Sequence, residues 1–224
     1  LTLYGIYQIG TLLSTPIGGV AAAAILGYFN LFLGRSVSVN TDGMLLAAIT
    51  WTVLLALKNS SPWKVALAIA LAIMVKGPAG LLAVLIPLPI LISKPKPYLL
   101  SSLIYLLIFT LPWHLYQLIV NGSSFFTPYL LEQVVRRATV PIEFHLESRW
   151  FYFVHLYKDL GLGVLLTAGL GLLFVRRKTF IYLWWLILPL TIFTLAKTRL
   201  TWYILPVYPA LALLIGHAIS SLTT

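Results

Sequence analysis

Long apolar runs, separated by short polar segments, make up almost the whole of the chain. A run of about 20 apolar residues crosses a hydrocarbon core of about 30 Å as an α-helix. The pattern predicts an all-α, polytopic membrane protein with about eight or nine transmembrane helices, in a single domain over residues 1–224. The predicted spans are 1–14, 16–34, 43–57, 62–76, 78–93, 98–119, 156–175, 179–197 and 202–221. Because the first run already begins at residue 1, we expect the true N-terminus to lie upstream.

The composition supports a membrane protein and narrows its partners. Hydrophobic residues make up 60% of the chain and charged residues 9%, whereas a soluble domain carries about 25% charged residues. The net charge is +10, because 15 basic residues stand against only five acidic ones. The bases are scattered at the ends of apolar runs, so no nucleic-acid partner is predicted. Membrane lipids with anionic headgroups, or a substrate that carries phosphate, are the favoured partners.

The polar segments fall into two groups when the predicted spans cross the membrane alternately. One group, here called the basic end, consists of short connections with bases and no acids, at residues 58–64, 93–97 and 176–178. The other group contains residues 35–43, 76–78, 120–149 and 197–201, with all five acids on it or near it. Bases in short loops favour the cytoplasm, so we predict a cytoplasmic basic end and an extracytoplasmic loop at 120–149. Opposite charges that meet at one face of a membrane protein indicate a polar site there.

Lys76 is the only charged residue between Val65 and Ser93. A single helix over residues 62–93 would be about 48 Å long, which exceeds the hydrocarbon core. We therefore predict a hairpin that bends at Lys76-Gly77-Pro78, since glycine permits the turn and proline suits the first turn of a helix. A lysine beside the free N–H groups of that helix predicts a phosphate or pyrophosphate site. The alternative is a lysine that only ends the helix and reaches the headgroups.

Two other groups of charges adjoin predicted spans at the same end. Asp42 precedes the span 43–57, and Arg35 lies seven residues before it. Asp42 either caps the helix or presents a carboxylate to the site. Lys197 and Arg199 precede Trp202 and Tyr203. These four residues either form an ordinary interfacial belt of bases and aromatics, or Lys197 and Arg199 add two more cations to the site.

The segment 120–149 contains Arg136, Arg137, Glu143 and His145. The pair Glu143 and His145 supplies only two ligands, which are too few for a zinc site. No metal site is therefore predicted. Two other histidines lie in apolar runs and are predicted to be structural, His114 and His217.

Five short motifs occur in a fixed order along the chain: RSVSVNTDGML, KGPAGLL, LPWH, RWFYF and KTRLTWYILPVYPALALL. In this order and spacing they resemble the polytopic GT-C glycosyltransferases. The similarity is to the type that includes dolichyl-phosphate-mannose–protein mannosyltransferases and bacterial aminoarabinose lipid A transferases. It covers nearly the whole chain and implies a GT-C-like transmembrane core.

The resemblance implies a reaction and a location. Such enzymes move a sugar from a polyprenyl-phosphate carrier to a lipid, glycan or protein acceptor, by an inverting displacement on the extracytoplasmic face. The implied location is a bacterial inner membrane, with the active site facing the periplasm or exterior. No cofactor is predicted, and a divalent metal stays an open alternative.

The resemblance also implies roles for individual residues. Asp42 matches the second acidic position of the family and is the predicted catalytic residue. The family's first acidic motif lies after its first transmembrane helix, and we expect it upstream of this chain. Lys76 matches the family's lysine-glycine-proline motif. The residues predicted to bind the lipid phosphate or substrate are Arg35, Lys76, Arg136, Arg137, His145, Lys197, Arg199 and Tyr203.

Two other classes of membrane protein stay open. A secondary transporter also contains broken helices and intramembrane charges, but its two halves usually show corresponding interruptions, and this sequence shows none. A lipid-carrier flippase or a ligase-type polymerase shares the carrier chemistry and a large periplasmic loop.

Overall fold

The computed structural model describes residues 1–140 and 147–223. Within these ranges the chain forms helices, turns and loops, with no strand. The α-helices are α1 (Thr2–Leu13), α2 (Pro16–Tyr28), α3 (Asn30–Val37), α4 (Thr41–Leu57), α5 (Pro62–Lys76), α6 (Leu82–Leu85), α7 (Leu88–Leu91), α8 (Lys96–Phe126), α9 (Arg137–Thr139), α10 (Phe151–Leu173), α11 (Phe180–Leu195) and α12 (Val207–Thr223). A π-helix covers Thr127–Arg136, and short 3₁₀ turns cover Gly77–Leu81, Arg177–Thr179 and Thr201–Ile204.

Four helical stretches in the described residues are long and apolar enough to cross a membrane. A fifth candidate is the pair α2 and α3, which meet at 72°. Helices α4 and α12 are apolar but shorter. The all-α, polytopic class is confirmed, while the count of eight or nine spans stays a prediction. By length and composition alone the four stretches are Pro62–Leu85, Lys96–Thr139, Phe151–Leu173 and Arg177–Leu195. The first of them turns back at Lys76, so it is not one straight crossing.

Helix α12 is the centre of the bundle, and most of its residues are buried. It packs against α2, α10 and α11. A Cβ atom added to Gly216 would lie 2.3 Å from the carbonyl oxygen of Gly18, and one added to Gly171 would lie 2.2 Å from that of Leu214. Only glycine allows backbones to approach this closely. These glycines therefore supply the dispersion contacts that hold membrane helices together where burial from water cannot.

The hairpin predicted at Lys76 is confirmed by contacts at both of its ends. At the tip, α5 ends at Lys76, and Gly77 has φ +54°. A Cβ atom added to Gly80 would lie 2.4 Å from the backbone nitrogen of Ile73, so the chain turns back on α5. At the open end, Tyr98 donates a 2.7 Å hydrogen bond to the carbonyl oxygen of Ser60. Residues before α5 and after α7 therefore lie at the same end of the bundle.

The second limb of the hairpin was predicted as one helix over 78–93, and this is wrong. It consists of a 3₁₀ turn followed by the short helices α6 and α7. Pro87 and Pro89 interrupt it, because proline lacks the N–H that an α-helix needs. Pro89 thus leaves the carbonyl of Leu85 without its usual helical donor, and the indole N–H of Trp184 donates to that oxygen at 2.9 Å. This bond ties the broken limb to α11.

The segment 120–149, predicted as a loop, is helical over its first part. Helix α8 continues to Phe126, and Gly122 breaks its regular geometry with φ +49°. The π-helix and α9 follow and reach Thr139. Glu143 and His145 fall in 141–146, outside the described residues.

The grouping of the polar connections into two ends is confirmed. Lys94 donates to the side chain of Asn59, which joins the connections 58–64 and 93–97. The third connection follows Phe174, and His217 is hydrogen-bonded to Phe174 and to Ser14 at the end of α1. Gln8 of α1 accepts a 2.9 Å hydrogen bond from Lys58, which brings this group to the connection 58–64. Asp42, Lys76 and residues 196–206 lie together at the opposite end, here called the cavity end.

The orientation of the bundle is open to a direct test. We expect the basic end to face the cytoplasm, because bases in short loops are retained there. Because the chain has no cysteine, Ser93→Cys and Ser148→Cys place one thiol at each end in an exposed position. An impermeant thiol reagent added to intact cells should label the thiol at 148 and not the one at 93. The reverse pattern would overturn the orientation, and both thiols should react in lysed cells.

Candidate functional site

Asn40, not Asp42, caps helix α4. The Asn40 side-chain oxygen accepts hydrogen bonds from the backbone nitrogens of Asp42 at 2.9 Å and Gly43 at 3.4 Å. The capping interpretation of Asp42 is therefore wrong. Its side chain lies in the first turn of α4, where the free N–H groups favour a negative charge. Because Asn40 satisfies those donors, the carboxylate of Asp42 is left to contact other elements.

The carboxylate of Asp42 holds two cations that come from two other helices. The ammonium of Lys76, at the end of α5, donates to Oδ1. The guanidinium of Arg35, in the last turn of α3, lies 3.4 Å from Oδ2. The Asp42 side chain is only 9% exposed, and the two cations are each 25% exposed. Lys76 is thus paired with an acid inside the protein, which the interpretation as a lysine reaching for headgroups does not predict.

Arg35 has a second partner on another element, the 3₁₀ turn Thr201–Ile204. The central carbon of its guanidinium lies 4.2 Å from the centre of the Trp202 ring. Trp202 belongs to the 3₁₀ turn before α12 and is half-buried. The contact is a cation–π interaction, in which the ring face attracts the positive charge.

Lys76 and Asp42 lie in the wall of a cavity of about 460 Å³ at the cavity end. Most of the other wall residues are apolar and come from α4, α6, α11 and the hairpin tip. The polar and charged side chains that line it are Asp42, Lys76, Gln133, Arg137, Thr198 and Tyr203. The apolar residues include Leu45, Leu46, Leu81, Leu82, Leu85, Ile192, Phe193, Leu195 and Leu205. A pocket with a few polar groups in an apolar wall is typical of a site for an amphiphilic ligand.

The second cation of the cavity, Arg137, is fixed by contacts with residues 198–203. Its guanidinium donates a 2.7 Å hydrogen bond to the hydroxyl of Tyr203. Its carbonyl oxygen accepts from the backbone nitrogen of Thr198 at 3.1 Å, and the Thr198 hydroxyl donates to the carbonyl of Val140 at 3.0 Å. The sequence predicted both Arg137 and Tyr203 as binding residues, and the fold brings them together.

Besides Arg35, three predicted residues do not line the cavity. Arg136 is exposed and lies 3.6 Å from Glu132 on its own helix. Lys197 is exposed. Arg199 is buried, and its guanidinium donates to backbone carbonyls, including that of Thr194 at 2.9 Å. His145 lies outside the described residues, so its place relative to the cavity stays a prediction.

Sequence reasoning did not find a histidine–tyrosine pair that supports the hairpin tip. His114 Nδ1 lies 2.8 Å from the carbonyl oxygen of Thr110, and its Nε2 lies 2.7 Å from the hydroxyl of Tyr129. Since a carbonyl only accepts, Nδ1 carries the proton and Nε2 accepts from Tyr129. The Tyr129 ring packs on Gly77, where a Cβ atom would lie 2.9 Å from a ring carbon. Burial of Tyr129 against Gly77 thus fixes the turn that carries Lys76.

Among the described residues, no three His, Cys, Asp or Glu side chains are grouped so that they could hold a metal ion.

The chain is similar in sequence to two longer bacterial proteins. It is 30% identical over 173 residues to an uncharacterized protein of Aquifex aeolicus, covering 71% of this chain and 33% of that protein. It is 32% identical over 166 residues to undecaprenyl phosphate-alpha-4-amino-4-deoxy-L-arabinose arabinosyl transferase 1 of Pseudomonas fluorescens, covering 68% of this chain and 30% of the transferase. The chain thus spans about a third of the length of the curated relatives that it matches. No family model matches it.

Two crystal structures of ArnT from Cupriavidus metallidurans have the same fold. The structure bound to undecaprenyl phosphate superposes with a TM-score of 0.74 at 17% identity, and the apo structure with 0.68 at 18% identity. Each comparison covers 97% of this chain and 44% of ArnT. At this identity the agreement establishes the fold. The chain therefore has the membrane fold of ArnT.

Proposed function

We propose that this chain forms the carrier-binding part of a GT-C membrane glycosyltransferase. The enzyme transfers a sugar from a polyprenyl-phosphate carrier to a lipid, glycan or protein acceptor. The observation that carries the proposal is the cavity, in which the cations Lys76 and Arg137 lie in a largely apolar wall. The ArnT fold and the similarity to an arabinosyl transferase support it.

The cavity suits a lipid whose head is a phosphate. The apolar wall takes the hydrocarbon chain out of contact with water, and the two cations bind the phosphate at its end. Charged hydrogen-bond donors to a phosphate are stronger than neutral ones. Their effect is largest in an enclosed site, where few water molecules compete for the charge.

The transfer step places developing charge beside these cations. The acceptor oxygen or nitrogen attacks the anomeric carbon, and the bond from that carbon to the phosphate oxygen breaks. The phosphate leaves with the electron pair of that bond and gains negative charge, which Lys76 and Arg137 stabilise. The proton of the acceptor passes to a carboxylate that acts as general base.

Asp42 has a double role in this proposal. It holds Lys76 and Arg35 in place through its two oxygens. Each carboxylate oxygen has a further lone pair, so Asp42 can also orient the acceptor or accept its proton.

The location follows from the same proposal. We place the protein in the bacterial inner membrane as a multi-pass enzyme, with the cavity end facing the periplasm or exterior. The bases of the basic end support this orientation.

The function is tested with the complete gene product in proteoliposomes. A panel of polyprenyl-phosphate sugars is supplied with lipid, glycan and peptide acceptors, and products are identified by mass spectrometry. We expect transfer from at least one donor, and a loss of transfer in Arg137→Ala. Lys64→Ala is the control, because Lys64 is an exposed base at the basic end. Absence of transfer with every donor, together with uptake of a solute, would replace the proposal with the transporter alternative.

A further inference from the structure

We propose that Trp202 is a positioning residue for the carrier-phosphate site and acts by holding Arg35 with the face of its ring. This inference rests on the proposed function. Trp202 lines the cavity, whereas Arg35 is not among the residues that line it. In this proposal Trp202 acts on the site through Arg35, which contacts Asp42, which in turn holds Lys76.

The geometry shows why Arg35 needs this support. Its contact with Asp42 is 3.4 Å long, whereas strong ionic hydrogen bonds measure about 2.7–2.9 Å. Asp42 alone thus holds Arg35 loosely, and the Trp202 ring at 4.2 Å supplies the second contact. When the Trp202 ring holds Arg35 beside Oδ2 of Asp42, the other oxygen, Oδ1, is free to bind Lys76.

Tyr203, the next residue, binds an arginine at the opposite wall of the cavity. Tyr203 accepts a hydrogen bond from Arg137, and Trp202 binds Arg35. Both aromatic residues lie on the 3₁₀ turn Thr201–Ile204. This turn therefore holds one arginine from each half of the site, and it sets the separation between Arg137 and the group formed by Arg35, Asp42 and Lys76.

An interfacial aromatic belt is the competing explanation for Trp202. A belt residue anchors the helix end at the headgroups and has no preference for a cation partner. The two explanations differ in whether the effect of replacing Trp202 depends on Arg35.

A double-mutant cycle separates them, with the donor KM and kcat measured in the complete gene product. We expect Trp202→Leu to raise the donor KM about 3- to 30-fold and to lower kcat as well, because a displaced Lys76 both binds the carrier phosphate and stabilises it as it leaves. Trp202→Phe should give an intermediate rise, since phenylalanine is the weaker cation–π partner. In a protein that already carries Arg35→Met, neither Trp202→Leu nor Trp202→Phe should raise the donor KM further, because the cation that Trp202 holds is absent.

The matched control is Trp63→Leu. Trp63 also faces a base, Lys64, at 5.6 Å, but this pair lies at the basic end. Its replacement should leave the donor KM unchanged.

The outcomes distinguish this inference from the function on which it rests. Wild-type KM in Trp202→Leu, or a rise that adds to that of Arg35→Met, overturns the role of Trp202. If Trp202→Leu does not fold, the same comparison of donor KM is made with Trp202→Phe, alone and together with Arg35→Met. Wild-type transfer in Lys76→Ala instead overturns the carrier-phosphate site itself.

Discussion

Lys76→Ala should lower the rate of sugar transfer by about 10²–10³-fold, the loss typical of removing one donor to a developing negative charge. Lys76 lines the cavity and is held there by Asp42. Its contact with the phosphate strengthens as the leaving group gains charge, so the loss should appear in kcat as well as in kcat/KM. The measurement is the initial rate in proteoliposomes, at matched amounts of folded enzyme.

Lys76→Arg should also be impaired. The planar guanidinium is larger than an ammonium and has a different hydrogen-bonding geometry, and the space beside Lys76 is limited by Tyr129 packed on Gly77. Lys64→Ala should transfer at the wild-type rate, because Lys64 is exposed at the basic end. If Lys76→Ala transferred sugar at the wild-type rate, Lys76 would have no role in catalysis and would only mark the end of α5.

Asp42→Leu should lower the free energy of unfolding by about 3 kcal/mol and abolish most of the transfer activity. The replacement leaves Lys76 and Arg35 without their shared carboxylate in a site that is largely closed to solvent. Removing one partner of a buried ion pair is strongly destabilising, because the remaining charge stays desolvated. Stability is measured by reversible unfolding in detergent or bicelles, and activity by the same transfer assay.

A double variant shows which part of that loss belongs to function. Asp42→Leu combined with Lys76→Met removes both charges, and apolar replacements of a buried pair often preserve stability. We expect the free energy of unfolding of the double variant to lie within about 1 kcal/mol of the wild-type value. We also expect the double variant to transfer no sugar. If it transferred sugar at the wild-type rate, the ion pair would be structural only. If it were as unstable as Asp42→Leu alone, Arg35 would be the cation that depends on Asp42.

The hairpin at Lys76 was predictable because its causes are local. A charge in a long apolar run cannot lie at the middle of a membrane helix without a cost, and the glycine and proline that follow it permit the turn. The break of the second limb was missed because the apolar pattern outweighed the two prolines, Pro87 and Pro89. The carbonyl that Pro89 leaves free is satisfied by Trp184, which lies far away in the sequence.

The capping of α4 shows where a local rule is ambiguous. Asn40, Thr41 and Asp42 are all good capping residues, and the sequence does not decide among them. The backbone places Asn40 at the cap, which turns Asp42 toward Lys76. The sequence also does not decide which of Arg136 and Arg137 faces the cavity. Adjacent residues of a helix point about 100° apart, so only one of them faces the cavity.

The sequence by itself determined the membrane class, the all-α fold and the two ends of the bundle. These follow from apolar length and from the spacing of charges, which are properties of single segments. Only the tertiary structure decided which charges share a site. The contacts of Asp42 with Lys76, Arg137 with Tyr203 and Arg35 with Trp202 join helices that are distant along the chain. Their partners depend on how the helices pack, and in this chain the packing depends on the close approach of backbones at glycine rather than on any pattern of polar residues.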